Sequence, residues 1–191
     1  MAEVFVRPAR VEDAAAVARI QLTTWRTAYA AIVPVPVLAR LGEEPIRAQW
    51  RTAIERPPST RHRVLVAIER DEAVGFAAAG PAEPDDLVVP DDLAAAAPGG
   101  GDPTTTLAVT TLLVEPRWGR RGHGSRLLAA TVDLARADGF TSAVTWVLDA
   151  DVASGSFFGS AGWEPDGTAR VLDMDGTAVH ETRLVTSLVP D

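Results

Sequence analysis

The chain has 191 residues, 26 acidic against 18 basic side chains, a formal net charge of −8, 47% hydrophobic residues and no cysteine. The missing cysteine excludes a disulfide framework, a thiolate metal site and a cysteine nucleophile, and the acidic balance argues against a nucleic-acid partner, which requires a basic face. No run of 18 apolar residues occurs, so no membrane span is expected, and an acidic field attracts cations, amines among them.

The opening MAEVFVRPARVEDA reads as a strand and a helix start rather than a leader, so a cytoplasmic protein is expected. Residues 4–7 form the strand. Residues 11–30 form the helix, with Val17, Ile20, Trp25 and Tyr29 among alanines, until Pro34 and Pro36 break it. Two shorter helical pieces follow at 37–41 and 43–55. Residues 63–69 and 73–79 read as strands of a hairpin around Arg70-Asp71-Glu72. The Pro-, Gly- and Asp-rich stretch at about 80–103 reads as a long loop insertion, leaving 1–191 as a single domain.

Residues 104–114 are apolar and β-branched, as in a central strand buried on both faces. Residues 125–137 form a helix with Leu127, Leu128, Val132 and Ala135 on one face, stopped by Gly139. Residues 141–148 are a strand. Residues 151–161 are a short helix capped by Asp151 and ended by Gly162. Residues 169–174 and 179–188 form a last hairpin around Asp175-Gly176-Thr177, whose exposed edge leaves room for a homodimer. The order predicts an α/β (α+β) fold with a mixed sheet. His62 and His180 are isolated and no metal-ligand spacing occurs, so no metal is expected.

One stretch stands out against the acidic whole. LLVEPRWGRRGHGSRLLAATVDLA, residues 112–135, places four arginines and three glycines at a strand-to-helix turn. Backbone N–H groups at a helix start, glycines that permit close approach and the positive end of the helix dipole together form an anion site. Arginine adds bidentate donors suited to phosphate. The turn lacks the GK[ST] of a P-loop, and Gly119-x-x-Gly122-x-Gly124 is not the dinucleotide fingerprint. The plainer alternative is a solvated turn that caps the helix.

VEPRWGRRGHG resembles the acetyl-CoA loop of the GNAT superfamily of N-acetyltransferases, [Gln/Arg]-x-x-Gly-x-[Gly/Ala] after a strand ending near V-x-P. Gly122 and Gly124 match its last two positions. Gly119 stands where the family has Gln or Arg, a role that Arg120 and Arg121 would share. DVASGSFFGSAGW matches the family's N-x-x-A-x-x-F-Y helix in spacing at Asp151, Ser154, Phe157, Phe158, Gly162 and Trp163, and the N-terminal VRPARVEDAAAVARIQLTTWRTAY resembles its first strand and helix.

The resemblance implies a helix-flanked mixed sheet whose fourth and fifth strands splay apart, with the pantetheine of acetyl-CoA between them. It implies an N-acetyltransferase that moves acetyl from acetyl-CoA directly to a small-molecule or peptide amine, without a metal. By the same resemblance the cofactor contacts would be Leu112, Leu113, Val114, Gly119, Arg120, Arg121, Gly122, His123, Gly124, Ser125, Asp151, Phe157 and Phe158. A backbone N–H of Leu113 or Val114 would hold the oxyanion, and the His123 side chain would face solvent or the phosphates. Trp25, Tyr29, Asp85 and Asp86 would lie on the acceptor side, with the second acidic pair Asp91-Asp92 nearby. Two departures matter. Phe158 replaces the family's proton-donating tyrosine, and Ala108 replaces its basic glutamate. Tyr29, the one tyrosine of the chain, is then the candidate catalytic residue. The same departures allow the alternative of a non-catalytic CoA-binding or regulatory module.

Overall fold

In chain order the strands are β1 (Val4–Pro8), β2 (Arg63–Glu69), β3 (Glu72–Pro81), β4 (Thr106–Val114), β5 (Ser142–Leu148), β6 (Glu164–Met174) and β7 (Thr177–Ser187). The helices are α1 (Ala14–Thr27), α2 (Val35–Arg40), α3 (Glu43–Glu55), the single turn α4 (Pro84–Leu87), α5 (His123–Ala137) and α6 (Val152–Ser160). The structure is a computed structural model and describes residues 4–87 and 102–189. The strands form one mixed sheet in the order β1-β2-β3-β4-β5-β7-β6. The expected mixed α/β fold is the observed one. The described residues fall into two compact units, 4–79 with 111–134, and 80–87 with 102–110 and 135–189.

In the first unit, strand alternation builds two cores. Val66, Ile68, Phe76 and Ala78 join Leu113 and pack against Val17, Ile20 and Leu22 of α1 and Ile46 and Trp50 of α3. Leu65, Ala67, Val74 and Ala77 pack against Leu127 of α5. Trp50 meets Phe76 edge-on at 4.9 Å, and its indole Nε1 donates to Gln21 Oε1 at 2.6 Å, so the ring is buried with its polar atom satisfied. β4 approaches Gly75 closely: an added Cβ would stand 2.8 Å from the carbonyl oxygen of Leu113. The entry to α1 is fixed by Asp13, whose carboxylate accepts from Arg7 at 2.6 and 2.9 Å and from the Arg10 N–H at 2.6 Å. Burial would raise the Asp13 pKa, but the Arg7 guanidinium and the Arg10 N–H outweigh it and hold the carboxyl below its ordinary value.

In the second unit, β5 pairs β7 in full antiparallel register from Ser142↔Ser187 to Leu148↔Glu181. One face buries Arg183 of β7. Its Nε and Nη2 donate to Asp166 Oδ2 at 2.9 and 2.6 Å, its Nη1 to the Asp86 carbonyl at 2.7 Å and its Nη2 to Thr168 Oγ1 at 3.0 Å. Here too burial raises the Asp166 pKa, and the Arg183 donors with the Thr168 N–H more than offset it, leaving a depressed carboxyl.

Several boundaries differ from the sequence expectation. α2 runs Val35–Arg40 rather than 37–41, because Pro36 sits in its first turn, where a missing N–H costs nothing, and β3 reaches Pro81 and α4 fills Pro84–Leu87 within the stretch expected to be a loop. α1 ends at Thr27, so Tyr29 lies in the following turn, where its carbonyl accepts from the N–H groups of Ile32 and Val33. α5 begins at His123 rather than at 125, because Gly122 takes a φ of +80° and supplies the turn that starts it. β6 begins at Glu164 rather than at 169, crossing a register irregularity between Pro165 and Ala169 that hid the strand's alternation. The two hairpin turns are as expected: Arg70 and Asp71, and Asp175 and Gly176, all have positive φ, as two-residue primed turns require.

Candidate active site

The end of β4 is held by a charge network. Glu115 follows β4, is buried, and receives Arg19 Nη1 and Arg117 Nε, the latter at 2.7 Å. Arg117 also reaches Glu72, and Arg19 Nη2 donates to the Ala73 carbonyl at 3.1 Å. The Glu115 N–H donates to the Val74 carbonyl at 2.9 Å. Leu113 points into the core with α1, whereas Leu112 and Val114 point toward α5. One of the four arginines of the basic stretch therefore serves the fold, as a clamp on a buried carboxylate.

After the 3₁₀ turn Pro116–Trp118 the chain passes Gly119, then Arg120 with a φ of +60°, Arg121 and Gly122 with a φ of +80°, and enters α5. Arg126, one turn into α5, folds back and donates from Nη1 to the Arg121 carbonyl at 3.0 Å. It covers Gly122 so closely that an added Cβ would meet Nη1 at 3.0 Å. Arg121 stacks on Trp118, with its guanidinium carbon 4.8 Å from the ring centroid. The backbone N–H groups of Arg120, Arg121, Gly122, His123, Gly124 and Ser125 have no protein acceptor among the described residues. These are the orphan donors of a helix start, extended backward by a left-handed turn. Arg120, Arg121, Gly122 and Ser125 are exposed, Gly124 is half-buried and His123 is buried.

His123 departs from expectation. Its side chain is 1% exposed, and its Nε2–H donates to Glu69 Oε2 at 2.8 Å at the end of β2. The imidazole therefore points into the protein, and the residue as a whole is buried. Glu69 also faces Arg121 Nη1 at 3.5 Å.

In the second unit, the parallel β4–β5 ladder covers Thr106↔Ser142, Leu107↔Ala143 and Ala108↔Val144, then stops. Beyond it the Thr145 hydroxyl donates to the Val109 carbonyl at 2.8 Å. The ladder is three pairs long. Asp151 caps α6, accepting the Ser154 N–H at 3.0 Å and its hydroxyl at 2.6 Å. A groove of about 360 Å³ opens beside it, lined by Val147, Leu148, Asp149, Asp151, Val152, Gly155, Ser156, Thr182 and Leu184. Phe157 is half-buried, and Phe158 is buried edge-on against Trp163 at 5.1 Å. Ala108 is buried with Ala82 and Val144.

Among the acceptor-side candidates, Trp25 and Tyr29 are half-buried against the α1–α3 core, their rings 6.1 Å apart. Asp85 is exposed. Asp86 corrects the picture of a free acidic loop: its carboxylate accepts from Trp146 Nε1 at 3.1 Å and from the Glu83 N–H at 3.1 Å, with Arg170 at 3.9 Å. A carboxylate so engaged anchors its own turn. Asp91 and Asp92 lie outside the described residues. Sequence reasoning missed Glu69, Glu115, Arg183 and Asp166, because single charges at strand ends or bulges carry no periodic signal. Among the described residues no helix is long and apolar enough to cross a membrane, and no three His, Asp or Glu side chains are grouped to hold a metal ion.

The sequence pattern of the acetyltransferase (GNAT) family matches residues 21–163. The chain therefore belongs to the GNAT family, whose members are acyl-transferring enzymes, and it is an N-acetyltransferase. It is 27% identical over 146 residues to the uncharacterized N-acetyltransferase YuaI of Bacillus subtilis (strain 168), covering 76% of this chain and 72% of that protein. Its fold is similar to yncA from Salmonella typhimurium, solved with its cofactor acetyl-CoA, with a TM-score of 0.69, 20% identity, and 99% and 96% of the two chains covered. It is also similar to the paia N-acetyltransferase of Thermoplasma acidophilum in complex with coenzyme A, with a TM-score of 0.68, 16% identity, and 94% and 98% covered.

Proposed function

We propose that the chain transfers acetyl from acetyl-CoA directly to an amine, and that the backbone N–H groups of residues 120–125 hold the coenzyme's pyrophosphate. The observation that carries this reading is the run of six N–H groups, at residues 120–125, without a protein acceptor among the described residues at the start of a 15-residue helix. A dipole's positive end and adjacent exposed arginines favour an anion there, and neutral turns have no need of such a run. The residues therefore fit a diphosphate.

The chemistry follows from what the chain offers. The amine nitrogen attacks the thioester carbon, a C–N bond forms, the C–S bond breaks, and the amine gives up a proton. An alkylammonium, with a pKa near ~10.4, must first become neutral. Without cysteine the acetyl group cannot rest on a thiol of the protein, which fits direct transfer. A backbone N–H of Leu113 or Val114 would stabilise the developing oxyanion. Ala108 cannot accept the amine's proton and Phe158 cannot protonate the thiolate, so water serves both ends and the protein contributes orientation, worth several powers of ten. A peptide or small-molecule amine and a cytoplasmic setting belong to the same proposal.

Release of CoA thiol from acetyl-CoA, measured against polyamines, aminoglycosides, amino acids and peptides with free N-termini or lysines, tests it. Amine-dependent release above the hydrolytic background is expected. CoA binding without release for any amine would contradict it.

A further inference from the structure

His123 is the first residue of α5, and its imidazole is among the largest fully buried side chains of the protein. A buried polar ring at the first position of a helix is unusual, since that position is normally at the surface. Its Nε2–H donates to Glu69 at 2.8 Å, while its Nδ1 has no hydrogen-bond partner among the described residues. The orientation of the ring therefore rests on the single bond to Glu69, with Trp118 packed edge-on at 6.4 Å and 83°. Glu69 in turn draws Arg121 to 3.5 Å, and Trp118 stacks under the same guanidinium. One carboxylate at the end of β2 thus holds two residues of the loop, one by its buried ring and one by its exposed cation.

We infer that Glu69 and His123 are positioning residues for coenzyme binding: the buried Nε2–H···Oε2 bond locks the first turn of α5 and the Arg121 side chain, so that the N–H groups of residues 120–125 converge on one anion. This rests on the assignment of those N–H groups to the pyrophosphate. Glu69 and His123 touch no ligand themselves; they act through the backbone and through Arg121. A pair that served stability alone would leave coenzyme affinity unchanged once the protein is folded.

The test is calorimetric titration with CoA, at a temperature well below each variant's melting point, of the parent, His123→Phe, His123→Gln, Glu69→Gln and Gly124→Glu. His123→Phe keeps a ring and removes the donor, and should weaken CoA binding at least about 10-fold, as losing a hydrogen bond to a charged group does. His123→Gln places an amide N–H near the position of Nε2 and should stay within about 3-fold of the parent. Glu69→Gln keeps an acceptor but releases Arg121, and should fall between the two. Parent affinity in His123→Phe would overturn the inference, as would equal losses in His123→Phe and His123→Gln, because ring shape rather than the hydrogen bond would then matter. If His123→Phe does not fold, Glu69→Gln decides: parent affinity there overturns the inference. Gly124→Glu probes the underlying assignment separately. Parent affinity in that variant would remove the pyrophosphate from the loop, and the positioning role with it, whatever the other variants do.

Discussion

Arg183 of β7 places two donors on one oxygen of Asp166, at 2.9 and 2.6 Å, with side chains only 1% and 3% exposed. Burying such a pair costs desolvation of both ions, and breaking it leaves one charge uncompensated, at a cost of roughly 3–5 kcal/mol. Arg183→Met should therefore lower the melting temperature by roughly 10 °C in a chain of this size. A fall of less than about 2 °C would show that the Asp166 carboxyl finds other donors.

The depressed carboxyls of Asp166 and Asp13 fix the sign of the acid dependence. Each is held below its ordinary value in the folded state, so the unfolded chain binds protons first as pH falls. Their stabilisation is complete above the ordinary carboxylate pKa of 3.8 and is lost as pH drops through the folded values beneath it. Melting temperatures between pH 6 and pH 3 should fall more steeply for the parent than for Asp166→Asn, whose starting value is already lower. Parallel curves would contradict the assignment.

Gly122 and Gly139 share a positive φ, +80° and +83°, but not their surroundings. Alanine at either should cost about 1 kcal/mol of stability for the left-handed backbone. Only at residue 122 does the new Cβ displace Arg126, whereas at residue 139 it meets nothing within 4 Å. Gly122→Ala should thus weaken CoA binding several-fold and Gly139→Ala should not. Equal affinities would separate the turn's geometry from ligand binding.

Most elements were legible because their signals are local. Proline breaks, β-branched runs and glycine stops located the helices and strands of both units, and Asp151 announced its capping role through Ser154 three residues on. The glycines and arginines at a strand-to-helix turn marked the loop as a candidate anion site. What each arginine does was not. Arg117 clamps Glu115 and Arg126 folds over Gly122, contacts that depend on residues brought together by the sheet. His123 could not be read as buried, since its partner Glu69 lies 54 positions away. The bond of Asp86 to Trp146 was hidden for the same reason, the two lying 60 positions apart.

The two aspartates of the first acidic pair should behave differently. Asp86→Asn weakens the bonds to Trp146 and Glu83 and should destabilise the protein by about 1 kcal/mol. Asp85→Asn, at an exposed position, should leave the melting temperature unchanged. If Asp85 attracts a cationic amine, its replacement raises KM and flattens the salt dependence; unchanged values at low and high salt would leave it as solvated surface.

Tyr29 lies beyond the end of α1 and packs its ring toward the α1–α3 core. With water as the acid, Tyr29→Phe should keep kcat within about 3-fold of the parent. A general acid is worth about 10² to 10⁴ in rate, so a loss of 10² or more at unchanged CoA affinity would make this phenol the proton donor.

The central claim is that the backbone of residues 120–125 is the anion-binding surface for the coenzyme. Amide chemical shifts recorded by ¹⁵N–¹H correlation during titration with CoA test it at the atoms concerned. The account predicts that the amide protons of residues 120–125 show the largest displacements of the chain, moving downfield as they gain an acceptor. CoA bound at saturation, with those six amides unmoved and the displacements elsewhere, would contradict it.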